Sequence, residues 1–230
     1  MNSSHVHVMR LVLFVAAAAS LAVASGCNQG SRIGADKDSS TSGSMSQANA
    51  KFDPTGASVC LQQMIKNPTG PFHVSFRETS LDRDASSVEA DVTPAAIDFT
   101  KHETMAGQTS TTTKHLARAQ VSEMDIDFGL MGPVPWHGEL VAAQDATKPA
   151  DAESINGYST MKYAIDTANE PAAQKATFLS LMAVKDYKIV GSAWVATDNG
   201  CLVKYAIDLE QDGKDGNVKR TQFEGNVTKR

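Results

Sequence analysis

Apolar and polar positions change rhythm several times along this chain. Leu11 to Ala24 is apolar and alanine-rich, broken only by Ser20, and short for a membrane span. Asn28 to Ala50 has no sustained period. From Thr55 to Lys66, Val59, Met64 and Ile65, with Cys60 and Leu61, gather on one helical face, and Asn67-Pro68-Thr69-Gly70 stops the helix. The period then falls to two. Phe72, Val74 and Phe76 alternate with His73, Ser75 and Arg77, the mark of a half-buried strand. Val88, Ala90 and Val92 alternate with Glu89 and Asp91 in the next, which Pro94 ends or bends; Ile97 and Phe99 continue it or begin a third. Gln108 to Gln120 is Thr-rich with few large apolar residues and reads as a weak strand or loop. Met124, Ile126, Phe128 and Leu130 also alternate, yet Pro133 and Pro135 follow at once. Trp136 to Ala146 has helix composition, weakened by Gly138, and Lys148 to Glu153 reads as a polar connection.

The last third is clearer. Met161, Tyr163 and Ile165 alternate with Lys162, Ala164 and Asp166, predicting a strand from about Gly157 to Thr167. Pro171 to Val184 predicts a helix with a Phe178, Leu179, Leu181, Met182 face. Tyr187 to Ala196 is a strand, and Asp198-Asn199-Gly200 is a hairpin signal because Asn and Gly tolerate positive φ. Cys201, Val203, Tyr205, Ile207 and Leu209 then alternate with Leu202, Lys204, Ala206 and Asp208, and a turn over residues 211–216 leads to a last strand, Asn217 to Thr228. The sum is α+β: an antiparallel meander with two or three helices.

The N-terminal run changes the picture of where this chain works. Leu21-Ala22-Val23-Ala24-Ser25-Gly26-Cys27 follows an n-region whose one fixed charge is Arg10. It resembles a bacterial lipoprotein signal, matching the lipobox at three of four positions, with Ala24 where Leu is usual. That resemblance implies diacylglycerol on the thiol of Cys27 and cleavage before it; an ordinary secretory signal cut nearby would leave a soluble protein instead. Two or three acyl chains anchor a protein durably where one does not. The expected organisation is a signal peptide over 1–26, a flexible tether over 27–51 and one domain over 52–230. The Ser-, Gly- and Asp-rich stretch from Asn28 to Ala50 cannot bury enough surface to order itself, and spans roughly 25 Å as a coil. Cleavage would move the formal charge from −5 to −6, since Arg10 is the only charged residue removed. A mildly acidic chain is not drawn to polyanions, so no nucleic-acid partner is expected.

Chemistry of other kinds is sparse. Of three cysteines, lipid on Cys27 leaves Cys60 and Cys201, which in an oxidising compartment read as one disulfide; two buried free thiols are the alternative. His73, His102, His115 and His137 are widely spaced, with no His-Glu-x-x-His helix, no Gly-x-Ser-x-Gly elbow and no phosphate-cradling Gly-rich loop. The run from Asp208 to Gly213 looks superficially like a calcium loop, but Lys219 stands where a bidentate Glu should close it. Trp136 and Trp194 could form a ligand platform or simply pack. The chain reads as a non-enzyme with no cofactor or metal.

The order of features, with Gly157-Tyr158-Ser159-Thr160, a crossover helix, and Ala193-Trp194-Val195 opening a hairpin into Leu202-Val203-Lys204-Tyr205, resembles the LolA/LppX/LprG-type envelope proteins. The resemblance rests mostly on those two short patches. It implies a curved antiparallel sheet, half-barrel-like, with two or three helices packed across one face. It also implies non-covalent binding of a lipid or lipidated partner between sheet and helices, at the periplasmic side of a bacterial envelope. By resemblance to lipoprotein sorting in Gram-negative bacteria, Asn28 after the cysteine implies the outer membrane. Phe72, Val74, Phe76, Met161, Tyr163, Ile165, Val203, Tyr205 and Ile207 are the candidate lining residues. Each also fits plain core, and the alternative function is a structural lipoprotein with a filled core that docks an envelope protein.

Overall fold

The computed structural model describes residues 52–80, 85–135 and 147–230. The leader, the tether, Cys27 and the helix expected over Trp136 to Ala146 lie outside the described residues. Among the described residues nine strands make one antiparallel sheet: β1 (Phe72–Ser80), β2 (Ala85–Val92), β3 (Ala96–Met105), β4 (Gln108–Ala117), β5 (Thr147–Ile155), β6 (Tyr158–Asp166), β7 (Val184–Ala196), β8 (Leu202–Gly213) and β9 (Val218–Lys229). Their order is β4-β3-β2-β1-β9-β8-β7-β6-β5, so β4 and β5 are the outermost of the described strands, and the sheet is not closed into a barrel. With the helices α1 (Pro54–Lys66) and α2 (Ala172–Met182), the architecture is the expected α+β.

The period-two positions define one apolar face. Phe72 lies opposite Val92, Val74 between Ala90 and Val227, and Phe76 between Val88 and Gly225. Tyr205 lies between Ala193 and Gly225, and Ile207 beside Phe223. The helices pack on this face. In α1, Asp53 caps the first turn by accepting from the Gly56 N–H at 2.9 Å, and Pro54 sits where its missing N–H is harmless. Leu61 and Ile65 are fully buried, and Phe52, just ahead of the helix, stacks on Tyr163 with centroids 4.9 Å apart. Each such side chain contributes roughly 1.5–3 kcal/mol on burial. Cys60 of α1 is disulfide-bonded to Cys201 at the start of β8, with Cα atoms 4.8 Å apart. Phe178 of α2 meets Tyr187 edge-on at 4.6 Å.

Three segments depart from the sequence expectations. Gln108 to Ala117 is a full ten-residue strand in unbroken register with β3. Lys148 to Glu153 belongs to the edge strand β5, not to a connection. Met124 to Leu130 alternates in sequence but winds as a helix: Asp125–Leu130 is a π-helix, in which the Met131 N–H donates to the Ile126 carbonyl at 2.8 Å. Ile126 and Leu130 turn inward and are buried, while Met124 and Phe128 face solvent. Gly129 brings this helix against the Phe99 ring, so it covers β3 on the same face as α1 and α2. A smaller shift is at the last turn, where β8 runs on to Gly213.

Candidate functional site

Eight of the nine candidate lining residues are buried, from Val74 at 0% exposure to Tyr163 at 7%; Met161 is partly buried. Surfaces that solvent cannot reach are occupied by other side chains, which makes these positions core. Phe76 stacks on Tyr205 at 6.2 Å, and the Tyr205 ring lies over Gly225, where a Cβ would stand 2.2 Å from Cε1. The Tyr205 hydroxyl is buried without a hydrogen-bond partner among the described residues, and burial pushes its pKa up. Burial also raises the Tyr163 phenol.

Near Tyr163 the packing opens. A cleft of about 350 Å³ lies where the chain enters α1, lined by Phe52, Gly56, Ala57, Tyr163, Val195 and Gly200. Asp53 and Cys60 on the helix side and Asn199 at the turn also line it, and its volume is within the range of a small-ligand site.

Trp194 lies on the opposite face of the sheet and is buried by its neighbours. The Lys162 and Lys204 ammoniums sit 5.1 and 4.5 Å from its ring centroid, and its indole N–H donates to Glu153. That arrangement packs the ring and leaves no platform. The run from Asp208 to Gly213 is part of β8, with Asp208 accepting from Gln222 and Glu210 paired to Arg220 across the ladder. Among the described residues no group of three His, Cys, Asp or Glu side chains is placed to hold a metal ion.

The face opposite the described helices gathers histidines and acids that lie far apart in sequence. His73 faces Asp91, Asp91 faces Asp98, and Asp98 faces His115, one row across four strands. The His73 ring nitrogens lie 2.8 Å from Asp91 and from Glu89, and His115 lies 2.5 Å from Asp98. The hydrogen bond from His73, with the Arg230 guanidinium beside it, holds the Asp91 carboxyl below its ordinary value. The row needed strand pairing to be seen; only the shared polar face was readable from alternation. Such exposed pairs contribute about 0–1 kcal/mol each.

Over the π-helix, Met124 is 71% and Phe128 65% exposed, the most exposed large apolar side chains among the described residues of the helix layer. The helix is tied to its surroundings. Gln62 of α1 donates to Asp127, Lys66 pairs with Glu123, and Lys101 donates to the Phe128 carbonyl at 2.7 Å. Asp125 accepts from Lys114 at 2.7 Å and from the Ser122 N–H and hydroxyl, which together bring its carboxyl down to about 2. A rigid mount therefore presents an apolar pair.

Fold and site together define an open-sheet α+β protein with a buried apolar core and an exposed apolar surface point. No protein-family model, curated protein or solved structure matches the chain.

Proposed function

We propose that this chain is a membrane-anchored bacterial envelope lipoprotein that works by non-covalent contact, docking an envelope protein through Met124 and Phe128. The observation that carries this reading is their exposure on a pinned helix beside a core that its own side chains fill. An exposed apolar pair on a well-braced mount gains from burial without paying for ordering. Photo-cross-linking from position 128 in cells is expected to give one discrete adduct, lost in Met124→Ser while the domain's thermal transition is kept. Absence of a discrete adduct would remove this surface from the reading.

The anchor rests on residues 21–27 and has its own test. Labelled palmitate is expected to enter the parent chain and not Cys27→Ser, which should leave the membrane fraction. A Cys27→Ser protein that stays as membrane-bound as its parent overturns the anchor.

A second reading, binding of an acyl chain, is favoured by the cleft beside Phe52 and Tyr163. It expects lipid to co-purify with the full chain, and Val195→Trp to displace it.

A further inference from the structure

On the face opposite the described helices, two side chains meet at one carboxylate oxygen. His73 Nδ1 and Arg230 Nη2 each lie 2.8 Å from Asp91 Oδ1, and 3.3 Å from each other. The other ring nitrogen of His73, Nε2, lies 2.8 Å from Glu89 Oε2, while Glu89 Oε1 accepts from the Ser75 hydroxyl at 2.6 Å. Arg230 follows β9, and its backbone N–H donates to the Pro71 carbonyl just ahead of β1. Its guanidinium therefore reaches over β1 to Asp91 of β2. It is a side-chain tie laid across the seam that joins β9 to β1.

The two groups differ in the protons they can give up. A guanidinium is always charged and only donates, whereas an imidazole gains or loses its second proton between about pH 5 and 8. A neutral His73 has one N–H. Used on Glu89 through Nε2, it leaves Nδ1 as a lone pair that accepts from Arg230, and the guanidinium holds Asp91. The imidazolium has an N–H on both nitrogens, and each faces a carboxylate oxygen at 2.8 Å. Its Nδ1–H then donates to Asp91 and sets a second positive charge 3.3 Å from the guanidinium, and like charges that close repel. The facing groups push the same way. Asp98 on β3 faces Asp91 and is paired with His115 of β4, which gains charge in the same range. On β9, Thr228 stands opposite His73 and Lys229 lies over the Tyr158 ring. Lys114, at the rim of the same cleft, is paired with Asp125. Asp91 stays ionised throughout, because the His73 hydrogen bond and the Arg230 charge hold its carboxyl below the ordinary value.

We propose that His73 is a pH-operated latch on Arg230. With His73 neutral, the guanidinium ties the end of β9 to β2; as pH falls through the histidine range, the imidazolium takes Asp91 and Arg230 is released to solvent. The backbone ladder between β1 and β9 stays, so the change is confined to the end of the strand that pairs with both halves of the sheet. The latch lies on the other face from Met124 and Phe128 and does not depend on their role.

The test is the guanidinium NMR signal of Arg230 in the full chain, followed from about pH 8 to 5 beside the His73 ring signal. At the upper end Arg230 is expected to give a separate, ion-paired signal. On acidification that signal should be lost to the position of free arginine, with the same midpoint as the His73 ring. His73→Gln keeps a donor for Glu89 but cannot take up a proton, and should hold the ion-paired signal throughout. Asp91→Asn should lack it at every pH. The proposal is overturned by an Arg230 signal that is never ion-paired, or that stays so at the acid end. It is equally overturned if the signal moves in His73→Gln as in the parent, or survives in Asp91→Asn.

Discussion

Gly225 is bare because Tyr205 fills the space a side chain would need. A Cβ there would stand 2.2 Å from Cε1 of a fully buried ring, and the ring has no room to retreat. Gly225→Ala is therefore expected to cost about 1–3 kcal/mol in urea unfolding. Tyr205→Phe should be neutral or slightly stabilising in the same measurement. It removes a buried hydroxyl that has no partner and keeps the ring. A loss of more than about 1 kcal/mol from Tyr205→Phe would show the hydroxyl to be satisfied.

At the level of elements, Asp125 joins the π-helix to β4 through Lys114 and closes its own first turn through Ser122. Its folded pKa of about 2 lies below the ordinary 3.8. The stabilisation is thus complete above about pH 4 and is lost as pH falls toward 2. Asp125→Asn should flatten that part of the stability profile, measured by urea midpoints between pH 4 and 2, and cost about 1 kcal/mol at neutral pH. Strands with a large apolar residue at every second position, such as Phe72 to Phe76 or Val203 to Leu209, were legible because their inner face is buried. β4 was legible only as a weak strand or loop: its threonines gain ladder hydrogen bonds without burying side chains, so alternation carries little signal. The π-helix was hidden for a different reason. Four apolar residues at alternate positions mimic a strand, and only the winding separates Ile126 and Leu130 from Met124 and Phe128. The candidate residues were recognisable as buried, whereas the His73 to His115 row depended on pairings that sequence order does not state.

For the whole molecule, the Cys60–Cys201 bond spans 141 residues and ties the first helix to the centre of the sheet. It limits the unfolded chain more than it shapes the folded one. Reduction is expected to lower unfolding stability by up to about 4–5 kcal/mol in the chain-entropy picture, read as a drop in urea midpoint. Equal midpoints with and without reductant would mean that the native packing alone sets stability. The central seam of the sheet joins β1 to β9, with Phe72 opposite Lys229 and Ser80 opposite Thr221. A polypeptide threaded through a narrow pore from its beginning would deliver β1 early and its neighbour last. Until then the left half, β4 to β1, and the right half, β8 to β5, are two separate four-stranded pieces. Stopping synthesis at Asn217 would leave the two halves without the strand that pairs with both, joined only through α1 and its disulfide, so the final dozen residues act as the keystone of the whole sheet.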